Sequence, residues 1–295
     1  MAKINIQFTR FSAFYSPLIA TAAGGFLQQE GLEPELSLSP PGFSAIDALL
    51  DGSADVVQSA PSQGLSSLER GEDPKALHFA QINEMDGFFI TAREPDPDFT
   101  WSKLACRKVL VDHASQPMAM FRYACLKQGL DADSIDMVDA GNVEQMDAAF
   151  RDGTGEFIHQ QGPAPQQLEH DGIGHVVAAL GKAIGPCAFS SLAATADWLQ
   201  GDMAKAFMRA YRKARKWVND TPADEIAAAE RPHFTDIDPA VLASTIGAYQ
   251  KLGCWSEHVE ITREAFEVTR DVFRNVGRDV EGDIFPKVVA APPDA

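Results

Sequence analysis

The sequence predicts an α/β protein of two similar lobes that meet at a cleft. Three observations carry that prediction. Strands and helices alternate through the first two thirds of the 295 residues, the same order of elements occurs twice, and a polar, proline-rich stretch at 93–100 stands between the two runs.

The first run opens at once. Residues 3–9 alternate apolar and polar like a half-buried strand, and Pro17 starts a helix over 17–30 with Ser16 as its cap and Gly31 as its stop. A strand follows at 32–39, then a helix at 42–50 closed by Asp51-Gly52, then strands at 54–58, 75–82 and 87–91. Strand–helix–strand order of this kind implies a largely parallel sheet with helices on its faces. The second run has a strand at 108–112, a polar loop at 113–116 and a helix opening near Pro117. A strand at 135–138, a helix through 146–150 closed by Asp152-Gly153, and a strand at 156–159 complete it.

The two runs superimpose as sequences. Ile46-Asp47-Ala48-Leu49-Leu50-Asp51-Gly52 corresponds to Met146-Asp147-Ala148-Ala149-Phe150-Arg151-Asp152-Gly153. Pro17 precedes Gly52 by 35 residues, and Pro117 precedes Gly153 by 36. One Asp-Gly after a helix means little, but the ordered set at one offset argues for two lobes of similar architecture.

After Gly181 the pattern changes. One more strand is expected at 184–190, and helices then dominate. Met203, Phe207, Tyr211, Ala214 and Val218 share one helix face, while Arg209, Arg212, Lys213, Arg215 and Lys216 form a basic stripe read as a solvated face. Asp238-Pro239 opens a helix to about Leu252, 261–276 is amphipathic, and 286–295 reads as a tail that drapes or frays.

Composition narrows the function. Hydrophobic residues at 45% and charged residues at 23% place the chain among globular proteins. A formal charge of −17 repels phosphate backbones and anionic headgroups, so neither nucleic acid nor a membrane surface is an expected partner. No apolar run approaches the ~18 residues of a membrane span, so no membrane insertion is expected. The first strand begins at Ala2-Lys3 with no basic and apolar leader before it. The expected compartment is periplasmic if a leader was removed and cytoplasmic if Met1 is the native start. Cys106, Cys125, Cys187 and Cys254 form no CxxC, and the seven histidines form no HxH or HxxxH, so neither metal nor cofactor is expected.

In open α/β sheets, ligands sit where loops diverge beyond the carboxyl ends of strands. After the first strand these loops hold Arg10, Ser12, Phe14 and Tyr15. Gln58 ends the third strand, followed by Ser59, Ala60, Pro61 and Ser62, with Gln81 and Asn83 after the next. The second run contributes His113, Ser115, Gln116, Gln160, Gln161 and Pro163. Hydroxyls, amides and rings of this kind orient a small molecule and cover its faces, and helix N-termini at Ser16-Pro17, Pro61-Ser62 and Ser115-Gln116-Pro117 suit an anionic group. Arg10 is the one strongly basic residue in the set and suits a carboxylate or sulfonate. Phe14 and Tyr15 are equally readable as core, and Ser62 and Ser115 as plain helix caps.

Ser16-Pro17-Leu18-Ile19-Ala20 and Gly25-Phe26-Leu27-Gln28-Gln29-Glu30-Gly31-Leu32-Glu33-Pro34-Glu35-Leu36 resemble the opening of SsuA/TauA/ThiY-like substrate-binding proteins of ABC transporters. Gly52-Ser53-Ala54-Asp55 is similar to their "G-x-A-D" strand entry. Gly162-Pro163-Ala164-Pro165 stands where they carry "W-x-P", without the aromatic, and Ala204-Lys205-Ala206-Phe207 through Trp217 to Pro222 resembles a late helix of theirs. The resemblance implies a periplasmic-binding-protein type II fold: two α/β lobes, 1–91 plus 186–295 and 92–185, joined by a hinge and closing on a ligand cleft. It also implies a solute-binding protein whose ligand is a small polar or anionic nitrogen- or sulfur-containing or aromatic molecule, with an ABC-transporter permease as partner.

Two alternatives on the same fold stay open: a cytoplasmic enzyme, desulfinase-like or pyrimidine-synthase-like, and a ligand sensor. For the first, Cys187 is the one cysteine expected to approach the cleft. For the second enzyme type, the loop Ser59-Ala60-Pro61-Ser62-Gln63-Gly64 lacks the expected lysine and histidine.

Overall fold

The computed structural model describes residues 1–40 and 43–294. The expected helix start at Gly42 and the end of the tail at Ala295 lie outside the described residues.

Among the described residues the strands form two five-stranded sheets. The first contains β1 (Ala2–Phe8), β2 (Leu32–Leu38), β3 (Val56–Ser59), β4 (Leu77–Asn83) and, from much later in the chain, β10 (Ser190–Ala194). The second contains β5 (Phe88–Ala92), β6 (Lys108–Leu110), β7 (Asp136–Val138), β8 (Phe157–Gln161) and β9 (His175–Ala179). Their orders, β2-β1-β3-β10-β4 and β7-β6-β8-β5-β9, are the same order written twice. In each, the first three strands run parallel and the fourth runs antiparallel to both neighbours.

The duplicated architecture is the one the repeat predicts. The glycines that close the matched helices, Gly52 and Gly153, both have positive φ (76° and 95°), a conformation that a Cβ disfavours. Two expectations are corrected. The sheets are mixed rather than largely parallel. The strand at 87–91 does not complete the first set either, because β5 pairs with β8 and β9 in the second sheet, and β10 fills the equivalent slot in the first. Each sheet thus holds an antiparallel strand beside a chain crossover, at 84–87 on the way out and 185–189 on the way back.

Local readings fail where backbone detail overrules periodicity. The helix expected over 17–30 is two helices, Ser16–Ala23 and Phe26–Gln29, because Gly25 sits in the left-handed region at φ 71°. The strand expected at 184–190 begins only at Ser190, since Leu180–Ile184 is helical. The basic stripe is not wholly solvated. Arg215 is 1% exposed and donates to the carbonyls of Gln81, Ile82 and Ser256, while Arg209 and Lys213 clasp Glu30. Of the two readings of the tail, draping holds over the described residues: Phe285–Val288 is helical, Val288 is fully buried, and Val289 bridges to His78 beside β4.

A continuous apolar core runs through both sheets and the crossovers between them, from Ile4, Ile6 and Phe8 on β1 to Val109 and Phe121 beyond. The helices Asp202–Asp220, Pro239–Leu252 and Arg263–Arg274 close over it with Phe207, Tyr211, Ile246, Tyr249 and Phe266. Among the described residues no helix is long and apolar enough to cross a membrane.

Candidate functional site

A cleft of about 430 Å³ opens between the two sheets. Its walls are strand ends. The parallel strands β1, β3 and β8 deliver Thr9 and Arg10, Gln58 to Ala60, and Gln161 from their carboxyl ends, and the loop after β6 delivers Ala114 to Pro117. The antiparallel β5 and β10 deliver Phe88, Phe189 and Ser190 from their amino ends. Tyr15, Phe43, Ser44, Ala45 and Gln63 complete the wall.

Of the expected residues, Arg10, Tyr15, Ser59, Ala60, Ser115, Gln116 and Gln161 line this cleft together. The others do not. Phe14 is fully buried core, 4.8 Å from the Tyr249 ring and 5.5 Å from Phe189. Ser12 donates to the Gly162 carbonyl at 2.7 Å, a strut between the sheets rather than a wall. Pro61 and Pro163 occupy N-cap positions of the helices Ser62–Glu69 and Ala164–His170. Ser62 is buried and donates to Gln116 Oε1 at 2.6 Å. Gln81 turns to Ser256 and His258, away from the cleft. Asn83 is buried behind Ser190, and Gln160 lies on the far face of β8 beside Asp147. His113 is exposed, with Nδ1 2.7 Å from the Val111 carbonyl.

Sequence reasoning missed Phe88, Phe189 and Ser190 because it searched carboxyl strand ends only, and antiparallel strands present the opposite end. The polar pair Ser190-Ser191 after apolar Ala188-Phe189 was the available signal. It likewise passed over Thr9, Phe43, Ser44 and Gln63.

Arg10 is the only charged side chain among the described residues that line the cleft. Its protein contacts are loose: Nη1 to Gln161 Oε1 at 3.4 Å and Nη2 to Asp112 Oδ2 at 3.8 Å, both at or beyond hydrogen-bond range. The guanidinium is therefore free to take an incoming anion at little cost. Tyr15 beside it is held above its ordinary pKa by burial, with the Arg10 charge opposing, so its phenol stays protonated.

The other polar groups are committed in one direction. Gln58 Oε1 accepts from Thr9 N and Oγ1, and Gln116 Oε1 accepts from Ser62. With their oxygens occupied, these amides have N–H to offer, Gln116 only one because its other goes to the Phe189 carbonyl at 3.0 Å. Ser190 Oγ accepts from Asn83 at 2.7 Å and Ser44 Oγ from the Ile46 N–H at 3.2 Å, leaving each hydroxyl hydrogen free. The wall is biased to donate.

Beneath Phe88 lies His159, fully buried and stacked on that ring at 4.6 Å, with neither ring nitrogen hydrogen-bonded among the described residues. Burial pushes its pKa down to about 3, so the ring is neutral. Cys187 on the return crossover is fully buried and its thiol is pushed far up by burial, which removes the thiolate an enzymatic nucleophile needs.

Residues 2–231 match the NMT1-like family. The chain belongs to that family. YtlA of Bacillus subtilis (strain 168), a candidate binding protein by its name, is 27% identical over 284 residues, covering 94% of this chain and 84% of that one. The fold is that of the periplasmic binding proteins. The alkanesulfonate-binding protein SsuA from Xanthomonas axonopodis pv. citri, bound to MOPS, is similar at TM-score 0.72 and 15% identity, with 98% of each chain covered. The periplasmic nitrate-binding protein NrtA from Synechocystis PCC 6803 is similar at TM-score 0.65 and 14% identity, with 93% of this chain and 80% of that one covered.

Proposed function

We propose that this NMT1-like chain is a solute-binding protein of an ABC importer. It closes its two lobes, by bending at 84–87 and 185–189, around a small anion that presents several acceptor atoms. The observation that carries this reading is the pairing of one loosely held cation, Arg10, with amides and hydroxyls whose acceptor atoms the protein already occupies. A ligand with a carboxylate, sulfonate or similar head satisfies those donors, while an ammonium head meets no counter-charge. Phe88, Phe189, Tyr15 and Phe43 supply ring faces for an apolar or aromatic body. The names of YtlA, SsuA and NrtA agree with such a role, and a permease is the corresponding partner.

The test is a thermal-shift and calorimetric screen of alkanesulfonates, arenesulfonates, nitrate, carboxylates, pyrimidines and matched amines. A true ligand at a hundred times its Kd stabilises the fold by about 2.7 kcal/mol. Anions should bind, matched amines should not, and mass spectrometry should recover the ligand unchanged. Consumption of the compound, or binding of amines in place of anions, would overturn the proposal. The role also requires export of the chain, which subcellular fractionation checks.

A further inference from the structure

Ser115 opens the helix Ser115–Lys127 in the second lobe and lines the cleft. Its Oγ accepts a hydrogen bond at 2.9 Å from Arg278, a residue beyond the last long helix and outside the cleft wall. The same guanidinium grips the first lobe. Nε and Nη2 reach both oxygens of Glu69 at 2.6 to 3.2 Å, and Nη2 also reaches Ser66 Oγ at 2.9 Å. Both partners lie on the helix Ser62–Glu69. The Phe273 ring, 4.7 Å from the guanidinium carbon, fixes its plane.

We infer that Arg278 is a positioning and specificity-determining residue for the cleft: it ties the two lobes together through Glu69 and Ser115, and it commits the Ser115 hydroxyl to donate toward the ligand. Hydrogen-bond capacity sets this direction. A serine oxygen that accepts from a cation keeps one hydrogen, and that hydrogen cannot return to an arginine, which has no acceptor. The cation also withdraws electron density from the oxygen and makes the hydroxyl a better donor. Arg278 thereby adds Ser115 to the donor wall without touching the ligand. The planar fork matters, because bidentate Glu69, Ser66 and Ser115 together use more directions than an ammonium aligns at once. Ser62 to Gln116 at 2.6 Å, and Gln116 to the Phe189 carbonyl at 3.0 Å, form a second tie between the same two helices and the return crossover.

This inference rests on the solute-binding reading for its ligand arm only. That arm measures binding of the anions of the screen to wild type, Arg278→Ala, Ser115→Ala and the double variant. Each single change should weaken binding on the order of fivefold, the double variant no further than Ser115→Ala alone, and Arg278→Lys should restore less than half of the loss. Multiplying losses in the double variant would overturn the route through Ser115. The second arm needs no ligand. Spin labels on the exposed positions Leu50 and Leu126, one in each lobe with Cys106 replaced by serine, report the distance between lobes. Arg278→Ala should lengthen or broaden that distribution, and an unchanged one would overturn the tie. A screen in which nothing binds sinks the solute-binding reading while the label distances still decide the tie.

Discussion

The Tyr249 hydroxyl accepts the Gly162 backbone N–H at 2.8 Å and donates to the Gly87 carbonyl at 3.1 Å. One phenol on the helix Pro239–Leu252 thus joins the end of β8 to the outgoing crossover, next to the wall residues Phe88 and Gln161. Tyr249→Phe removes the bridge and leaves both backbone groups unpaired in a dry core, at a cost of about 1–3 kcal/mol per unsatisfied group. Urea denaturation should show that loss, accompanied by weaker ligand binding. Unaltered stability would mean that water or another donor replaces the phenol.

Arg10 governs affinity with little effect on folding. Its side chain is 40% exposed and its ion pair is long, so Arg10→Gln should shift stability by less than about 1 kcal/mol. Anion affinity should fall about tenfold to a hundredfold and lose much of its dependence on salt. Gln58→Glu, which turns a donor into a like charge for the ligand, should be at least as damaging. Tyr15→Ala is a less clean probe than its place in the cleft suggests. The ring is 5% exposed and packs on Phe14 at 5.4 Å, so stability and affinity should fall together.

Two buried groups give the fold opposing pH dependences. Asp86 on the outgoing crossover is fully buried, with Oδ1 on the Phe88 N–H at 2.6 Å and Oδ2 unpaired among the described residues, and burial raises its pKa to about 7. Between pH 4 and 7 the folded chain therefore holds a proton that the unfolded chain has released, and stability falls as pH rises through that window. His159 works the other way. With its pKa depressed to about 3, the unfolded chain binds the extra proton between roughly pH 3 and 6.5, so stability rises with pH there and is complete above it.

Denaturation from pH 4 to 8 separates the two. Asp86→Asn should gain on wild type as pH rises toward 7, and His159→Met should gain as pH falls toward 4. The limiting slope for each is about 1.4 kcal/mol per pH unit. Parallel curves for a variant and wild type would show that the residue does not titrate as described.

Gly64 is the seat of the C-terminal segment. A Cβ there would lie 2.7 Å from Val288 Cγ1, closer than packed carbons approach. Gly64→Ala should cost about 1–3 kcal/mol, expose residues after 284 to protease, and be partly rescued by Val288→Ala. Resistance equal to wild type would mean that the segment yields without leaving.

Much of this architecture is legible in the residues. Pro17 and Pro117 do open matched helical regions, and Gly52 and Gly153 do close matched helices, because positive φ and a fixed proline φ leave a mark on composition. Partnering across the chain leaves none. Nothing local to Phe88–Ala92 says that it joins the later sheet, and Val288 gives no sign that it packs on Gly64. The site divides along the same line. Arg10, Ser59, Gln116 and Gln161 follow from strand-end logic, whereas Phe189, Ser190 and the reach of Arg278 depend on strand direction and on segments that return from more than a hundred residues away. Residues such as Ser62 and Asn83 have the right chemistry and sit one layer behind the wall, orienting Gln116 and Ser190.

β10 lies between β3 and β4, so the first sheet has an empty slot until residue 194 leaves the ribosome. Throughout synthesis of the second sheet, β3 and β4 each present an unpaired edge to whatever is nearby. The second sheet suffers no such delay, since all five of its strands fall between 88 and 179. Connectivity thereby separates the halves: the later-encoded sheet can close on its own strands, and the sheet that begins the chain stays incomplete until β10 is made.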